Sequence, residues 1–137
     1  MSAKTKFRKV QKGKIGGIQS NTYKLKTGKF GIKALKDGYL TIKHLDVIRR
    51  SLSRSSKRSG QFWVRVCTDK PMTSKPKEVR MGKGKGSVTD WAARIKSGQI
   101  LYEFDGVKDV VAEQILQTIS PKLPFPIKLM SADKKGL

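Results

Sequence analysis

Positive charge constrains this chain more than any other feature of its sequence. The 137 residues include 31 lysines and arginines but only 10 acidic residues, which gives a formal net charge of +21. A fold with this charge repels itself unless a polyanion neutralises it, so a nucleic acid or an anionic membrane is the expected partner. Membrane insertion finds no support, because no apolar run approaches the roughly 20 residues that a spanning helix needs. The hydrophobic fraction of 36% is low but permits a small core in one domain.

The charge is unevenly distributed along the chain. Residues 1–60 hold 17 basic and 2 acidic residues, whereas residues 61–137 hold 14 and 8. Between residues 101 and 120 the sign reverses, because four acids face only Lys108: Glu103, Asp105, Asp109 and Glu113. We therefore expect one side of the protein to bind phosphate and another side to avoid it.

Cysteine and histidine are too scarce to build a metal centre or a disulfide. Cys67 and His44 are the single residues of their types. An intrachain disulfide is impossible, and a reducing compartment is expected. A Cys/His zinc site is excluded, and the sequence predicts neither a metal nor another cofactor.

The first 27 residues predict an extended basic arm that is poorly ordered without its partner. Large apolar side chains are few, and Gly13, Gly16 and Gly17 interrupt them. Residues 1–14 lack the serine-rich and arginine-rich composition and the apolar face of a transit peptide, so we expect them in the mature protein. Its cations suit a chain that threads between RNA helices, although a solvated tail is the alternative. These cations are Lys6, Arg8, Lys9, Lys12 and Lys14. Residues 28–131 are predicted to form the single domain, and residues 132–137 a tail.

Alternating apolar residues predict several strands. Residues 29–35 place Phe30, Ile32 and Ala34 on one side, and Asp37-Gly38 predicts a turn into a short partner strand at 39–42. Residues 61–67 alternate again, with Phe62, Val64 and Val66 inward. Residues 99–104 and a proline-started segment after residue 122 predict further strands.

A helix is predicted from the N-cap Thr41 to about Ser59, with one apolar and one basic face. The apolar face contains Ile42, Leu45, Ile48 and Leu52. Only Asp46 interrupts the basic side, so phosphate contact is favoured over an ordinary solvated face. The basic side comprises Lys43, Arg49, Arg50, Arg54, Lys57 and Arg58. A second helix, from about Val107 to Ser120, is expected to turn its acids toward solvent.

Residues 68–90 predict a long functional loop around the segment "RMGKGKGS" at 80–87. A nucleotide-binding Walker loop is excluded, because Lys77 stands where its first glycine belongs. The pattern G-x-G-x-x-G also fails, because Ser87 replaces its third glycine. The glycines instead permit close backbone approach, and the lysines between them supply charge. A mobile cationic loop is favoured, and a phosphate-handling enzyme is remote.

Several motifs resemble one known family. They are "KFRK..KGK" at 6–14, "FGIKAL" at 30–35, "RR...R..KR.G" at 49–60, "W.RV..DKP.T.KP..VRMGKGKG" at 63–86 and "G..LYE.DGV" at 98–107. In this order they resemble the bacterial-type large-subunit ribosomal protein L-sixteen family, which has an archaeal and eukaryotic counterpart. The resemblance implies an α+β two-layer sandwich, with two main helices packed on one face of an antiparallel sheet.

The resemblance also implies a non-enzymatic function in translation. The partners would be large-subunit rRNA, neighbouring large-subunit proteins and the aminoacyl-site tRNA near the peptidyl-transferase centre. The tRNA-proximal loop would comprise Arg80, Met81, Gly82, Lys83, Gly84, Lys85 and Gly86. The rRNA-binding residues would be the cations of the arm and the first helix, together with Arg65, Lys70 and Lys75. A free-standing architectural nucleic-acid-binding protein is the main alternative.

Departures from the family pattern bear on the compartment. The chain begins "MSAKTK" and has "CTDKP" where relatives commonly have M-L-x-P-K-[RK] and F-P-D-K-P. These departures favour a mitochondrial ribosome, with a bacterial or plastid ribosome as the alternative.

Overall fold

Two helices and seven strands make up the part of the fold that the structure describes. The computed structural model describes residues 5–20 and 24–132, so residues 1–4 and 21–23 of the predicted arm and most of the predicted tail lie outside it. The α+β class predicted from the sequence is confirmed. The elements in chain order are β1 (Phe30–Ala34), β2 (Gly38–Thr41), α1 (Ile42–Ser55), β3 (Gln61–Val64), β4 (Lys70–Ser74), β5 (Ser87–Ile95), β6 (Ile100–Asp105), α2 (Asp109–Ile119), a 3-10 turn (Ser120–Lys122) and β7 (Ile127–Ser131).

The strands form two antiparallel sheets, so the prediction of one sheet is wrong. The four-stranded sheet has the order β3-β6-β1-β7, and the three-stranded sheet has the order β2-β5-β4. The predicted β1–β2 hairpin is also wrong, because β2 pairs with β5 from Gly38↔Ile95 to Thr41↔Ala92. A Cβ atom on Gly38 would lie 2.8 Å from the Phe125 ring. The chain thus passes from one sheet to the other where close packing requires glycine.

Both sheets and the two helices form the core, to which the three-stranded sheet contributes Leu40, Ala93 and Ile95. Phe30, Ile32 and Ala34 of β1 are buried as predicted, and β6 is buried from Ile100 to Phe104. The core also contains Ile48 and Leu52 of α1 and Ala112, Ile115 and Ile119 of α2. The Tyr102 hydroxyl of β6 donates to the Leu45 carbonyl of α1 at 2.8 Å. Burial raises the pKa of this tyrosine to about 12, so the hydroxyl remains a donor.

Helix α1 begins as the sequence predicted and ends earlier. The Thr41 hydroxyl accepts from the His44 amide, and the His44 ring accepts from the Thr41 amide. This reciprocal cap gives the single histidine a structural role. The helix ends at Ser55 rather than Ser59, because Lys57 and Arg58 have positive φ values of 49° and 64°. The chain therefore turns away and presents both side chains at the end of α1.

The predicted loop at 68–90 is shorter than expected. Strands β4 and β5 pair from Lys70↔Ala92 to Ser74↔Ser87, which leaves residues 75–86 as the loop between them. We call residues 75–86 the glycine-lysine loop. Pro71 is accommodated because β4 is an edge strand, where a missing amide donor is tolerated.

Strand β3 is also shorter than predicted. It ends at Val64, whose side chain is 49% exposed, contrary to the inward position that the alternation indicated. Phe62 and Val66 pack against the core as expected. Because β3 is an edge strand, its alternation is not enforced by neighbours on both sides. Within the described ranges, neither helix is long and apolar enough to cross a membrane.

Candidate nucleic-acid interface

The end of helix α1 forms a groove lined by cations. Its volume is about 440 Å³, and no carboxylate is among the residues that line it. The lining residues are Arg49, Arg50, Ser53, Arg54, Lys57 and Arg58. We call these six residues the basic groove. Five positive side chains converge here because the helix stops early and the left-handed turn at Lys57 and Arg58 folds back beside it.

Two aspartates divide the predicted cations into paired and unpaired ones. Asp46 accepts from Arg49 at 2.8 Å and from Arg50 at 2.6 Å. The hydrogen bond from Arg49 is the main reason that the pKa of Asp46 is lowered. Lys43 pairs with Asp90 at 3.2 Å. Arg54, Lys57 and Arg58 have no acidic partner in the described part of the chain, and they keep their full charge for an external anion.

The glycine-lysine loop has a tip built from three consecutive left-handed residues. Gly82, Lys83 and Gly84 have φ values of 97°, 57° and 83°. A Cβ atom on either glycine would meet nothing within 4 Å, so backbone conformation rather than packing requires glycine here. Lys75 donates to the Gly82 carbonyl and so ties the base of the loop to its tip. Met81 is fully exposed beside this tip.

The arm lies extended against the domain and the loop. Its predicted cations are all exposed. The Lys9 ammonium donates to the Lys85 carbonyl at 2.9 Å, and the Lys85 ammonium donates to the Val10 carbonyl at 2.6 Å. Farther along, the Gln19 amide donates to the Ser97 carbonyl at 3.0 Å. The arm and the glycine-lysine loop therefore lie side by side, although both are basic.

Two of the predicted RNA-binding residues point into the protein. Lys70 is only 4% exposed, and its ammonium donates to the Lys12 carbonyl. The Arg65 guanidinium lies 3.5 Å from the carboxylate of Glu103, and its side chain is 26% exposed. These positions suit internal roles better than contact with phosphate. Charge alone did not distinguish them from the cations of the basic groove.

The carboxylate of Glu103 is completely buried at the junction between the arm and the domain. One of its oxygens accepts from the Thr27 amide at 2.7 Å and from the Gly28 amide at 3.1 Å, and the Lys26 amide also donates. Burial opposes ionisation, but these three amides and Arg65 outweigh it, so the pKa of Glu103 is lowered. Sequence analysis placed this residue with the surface acids. A single acid inside the apolar run "ILYEF" was the signal of a buried, partnered carboxylate.

Helix α2 has the opposite electrostatic character. Asp109 and Glu113 are exposed, as the sequence predicted, and Ala112, Ile115 and Ile119 form its buried face. Tyr39 was not singled out in the sequence, yet its hydroxyl donates to the Lys12 carbonyl at 2.9 Å. Its position next to the buried Leu40 in a strand was the available signal, because neighbouring residues point to opposite faces.

Comparison with known proteins identifies the family of this chain. The family model described as "Ribosomal protein L16p/L10e" matches residues 2–130. The chain belongs to the ribosomal protein L16p/L10e family. The large ribosomal subunit protein uL16 of Wigglesworthia glossinidia brevipalpis is 50% identical over 122 residues, which cover 89% of each chain. The uL16 protein of Cereibacter sphaeroides is 45% identical over 127 residues, 93% of each chain. That of Hyphomonas neptunium is 46% identical over 93% of this chain and 92% of its own.

Membership of the L16p/L10e family decides between the functional classes considered above. It confirms the predicted family and the non-enzymatic interpretation, because the family is one of ribosomal proteins. The three relatives are bacterial, and they give no support to the mitochondrial location favoured by the sequence.

Proposed function

We propose that this protein is a structural constituent of the large ribosomal subunit that binds its rRNA. The observation behind the proposal is the basic groove, where five cations converge on a concave surface without a lining carboxylate. Phosphate oxygens accept hydrogen bonds from arginine and lysine, and such contacts position a protein on RNA without reading its sequence. The relatives named large ribosomal subunit proteins support the same partner.

The rRNA-binding surface in this proposal has three parts. The basic groove and the arm cations Lys6, Arg8, Lys9, Lys12 and Lys14 contact rRNA directly, together with Lys43 and Lys75. Lys70 and Arg65 support this surface from inside the domain. Neighbouring large-subunit proteins contact the remaining surface, including the acidic helix α2, which avoids RNA.

The glycine-lysine loop has a separate role in the proposal. Residues Arg80 to Gly86 reach toward the aminoacyl-site tRNA near the peptidyl-transferase centre and help to shape that site. The exposed tip, with Lys83 between two left-handed glycines, suits contact with a partner that arrives and leaves. Peptide bond formation itself belongs to the RNA.

Sedimentation tests the ribosomal assignment and the compartment together. Lysates of the source cell and of its organelles are fractionated on high-salt sucrose gradients, and this protein is followed by mass spectrometry. The proposal expects recovery with the large subunit. The bacterial cytoplasm, the plastid and the mitochondrial matrix are then distinguished by the fraction of origin. Recovery with free RNA or DNA alone would favour the free-standing architectural protein instead.

Two loop lysines test the tRNA role. The double variant Lys83→Ala/Lys85→Ala should fold normally, because both side chains are exposed, but should slow accommodation of aminoacyl-tRNA. The matched control is Lys108→Ala/Lys128→Ala, which removes the same charge from exposed positions away from the loop. Single-turnover tRNA accommodation is measured on ribosomes reconstituted with each variant. Equal rates for both double variants would contradict a specific role of the loop.

A further inference from the structure

The arm is attached to the three-stranded sheet through backbone carbonyls rather than through acids. The Tyr39 hydroxyl of β2 donates to the Lys12 carbonyl at 2.9 Å, with the Gly13 carbonyl 3.3 Å away. The Lys12 ammonium lies 5.8 Å from the centroid of the Tyr39 ring, where a cation is attracted to the aromatic face. One tyrosine thus holds both the backbone and the side chain of the same arm residue.

Lys70 completes this attachment from the edge strand β4. Its ammonium donates to the Lys12 carbonyl, lies 3.4 Å from the Tyr39 hydroxyl oxygen and stands 5.1 Å from the centre of the Tyr39 ring. Lys70 forms no ion pair within residues 5–20 and 24–132. A buried ammonium is costly without acceptors, and the docked arm supplies one of them. Burial of Lys70 and docking of the arm therefore depend on each other.

A second attachment joins the arm to the glycine-lysine loop. The Lys9 ammonium donates to the Lys85 carbonyl, and the Lys85 ammonium donates to the Val10 carbonyl, across 76 and 75 residues of sequence. Carbonyl groups hold these lysines without cancelling their charge, unlike the aspartate that partly neutralises Arg49 and Arg50. The two basic segments are thus held together with their net charge intact.

We propose that Tyr39 and Lys70 are positioning residues that hold the arm beside the glycine-lysine loop before RNA arrives. We call this pair the arm clamp. It places the cations of arm and loop on one continuous phosphate-binding surface, and it lowers the cost of ordering the arm on binding. This inference rests on the proposed rRNA-binding function, and it replaces direct phosphate contact as the role of Lys70.

The first test measures arm docking without RNA. Tyr39→Phe removes one hydroxyl and keeps the ring, and Lys70→Met removes the ammonium and keeps most of the apolar stem. In full-length protein, limited trypsin cleavage after Lys12 and Lys14 should be several-fold faster in both variants than in wild type. Lys128→Met removes an equal charge from exposed β7 and should leave this rate unchanged. Wild-type cleavage rates in both clamp variants would overturn the proposal. If Lys70→Met fails to fold, Tyr39→Phe provides the same test.

The second test separates positioning from direct RNA contact. The double variant Lys6→Ala/Arg8→Ala removes arm cations that have no hydrogen bond to the domain among the described residues. Dissociation constants are measured for an in vitro transcript of large-subunit rRNA, with and without Lys70→Met. Lys70→Met should weaken binding by roughly three- to tenfold, the scale of ordering one or two flexible side chains. In the Lys70→Met background, the double variant Lys6→Ala/Arg8→Ala should weaken RNA binding by a smaller factor than it does in the wild type.

Two outcomes of these binding measurements have different meanings. Fully additive losses would overturn the clamp, because Lys70 would then act on RNA independently of the arm. A failure of the rRNA proposal appears separately, as wild-type protein that binds large-subunit rRNA no more tightly than an unrelated transcript of equal length. The cleavage experiment needs no RNA and is unaffected by that failure.

Discussion

The two sheets differ in what their residues do. The four-stranded sheet contains most of the buried strand residues, and its strand β6 is buried over five successive positions. The three-stranded sheet contains the attachments of the arm through Tyr39 and Lys70, and the glycine-lysine loop extends from its β4–β5 hairpin. The four-stranded sheet thus contributes most of the core, while the three-stranded sheet contributes Leu40, Ala93 and Ile95 and also positions the basic segments.

Glu103 joins these two functions, and its loss should have the largest effect on stability. It lies in β6, yet it binds the amides at 26–28, where the chain enters the domain. In Glu103→Leu these amides and Arg65 lose their partner in a buried site. We expect the free energy of unfolding to fall by about 3–5 kcal/mol, as for other broken buried ion pairs. Chemical denaturation measures this change, and a loss below about 1 kcal/mol would contradict the importance of the buried carboxylate.

The Glu103 carboxylate should also make stability depend on pH, with a smaller effect than that of Glu103→Leu. The pKa of Glu103 lies below its ordinary value of 4.5 in the folded protein, so the folded state binds this proton less readily than the unfolded state. Its contribution is complete above about pH 5.5 and is lost as the pH falls through the lowered pKa. Glu103→Gln should cost about 1–3 kcal/mol at neutral pH. Denaturation curves should show that the difference in unfolding free energy between the wild type and Glu103→Gln shrinks as the pH falls toward 3. A difference that stays constant with pH would argue against an ionised Glu103.

Local patterns predicted some elements well because local forces determine them. Thr41 caps its own helix, and the alternation of Phe30, Ile32 and Ala34 identifies a strand with one buried face. Local forces do not determine which strands pair. Asp37-Gly38 indicated a hairpin, but β2 pairs with β5, more than 50 residues farther along the chain. No local pattern encodes that choice, because the partner strand lies far away in the sequence.

The candidate site shows the same limit at the level of single side chains. Composition identified a basic surface, and periodicity placed Arg54 on the exposed side of α1. Neither signal could show that Lys70 lies buried beneath the arm or that Arg65 faces Glu103. A positive residue in a strand has no sequence signal for its partner when that partner is a carbonyl or an acid from a distant segment.

Charge reversal on α1 should change stability little and RNA binding strongly, whereas charge reversal on α2 should change neither. Arg54→Glu places a carboxylate in the basic groove, and its exposed position predicts a change in unfolding free energy within about 0.5 kcal/mol. Binding to an rRNA transcript should weaken, and the slope of log affinity against log salt should fall by about 0.7–0.9 per lost phosphate contact. Glu113→Lys on α2 is the matched reversal and should change neither quantity appreciably. Equal effects of Arg54→Glu and Glu113→Lys would refute the division between a phosphate-binding side and an acidic side.

Arg50→Glu should weaken RNA binding less than Arg54→Glu does and more than Glu113→Lys does, because Asp46 already holds Arg50 in the wild type. If the effects of Arg54→Glu and Glu113→Lys differ as expected, the comparison of Arg54 with Arg50 measures how far one internal aspartate lowers the contribution of an arginine to RNA binding.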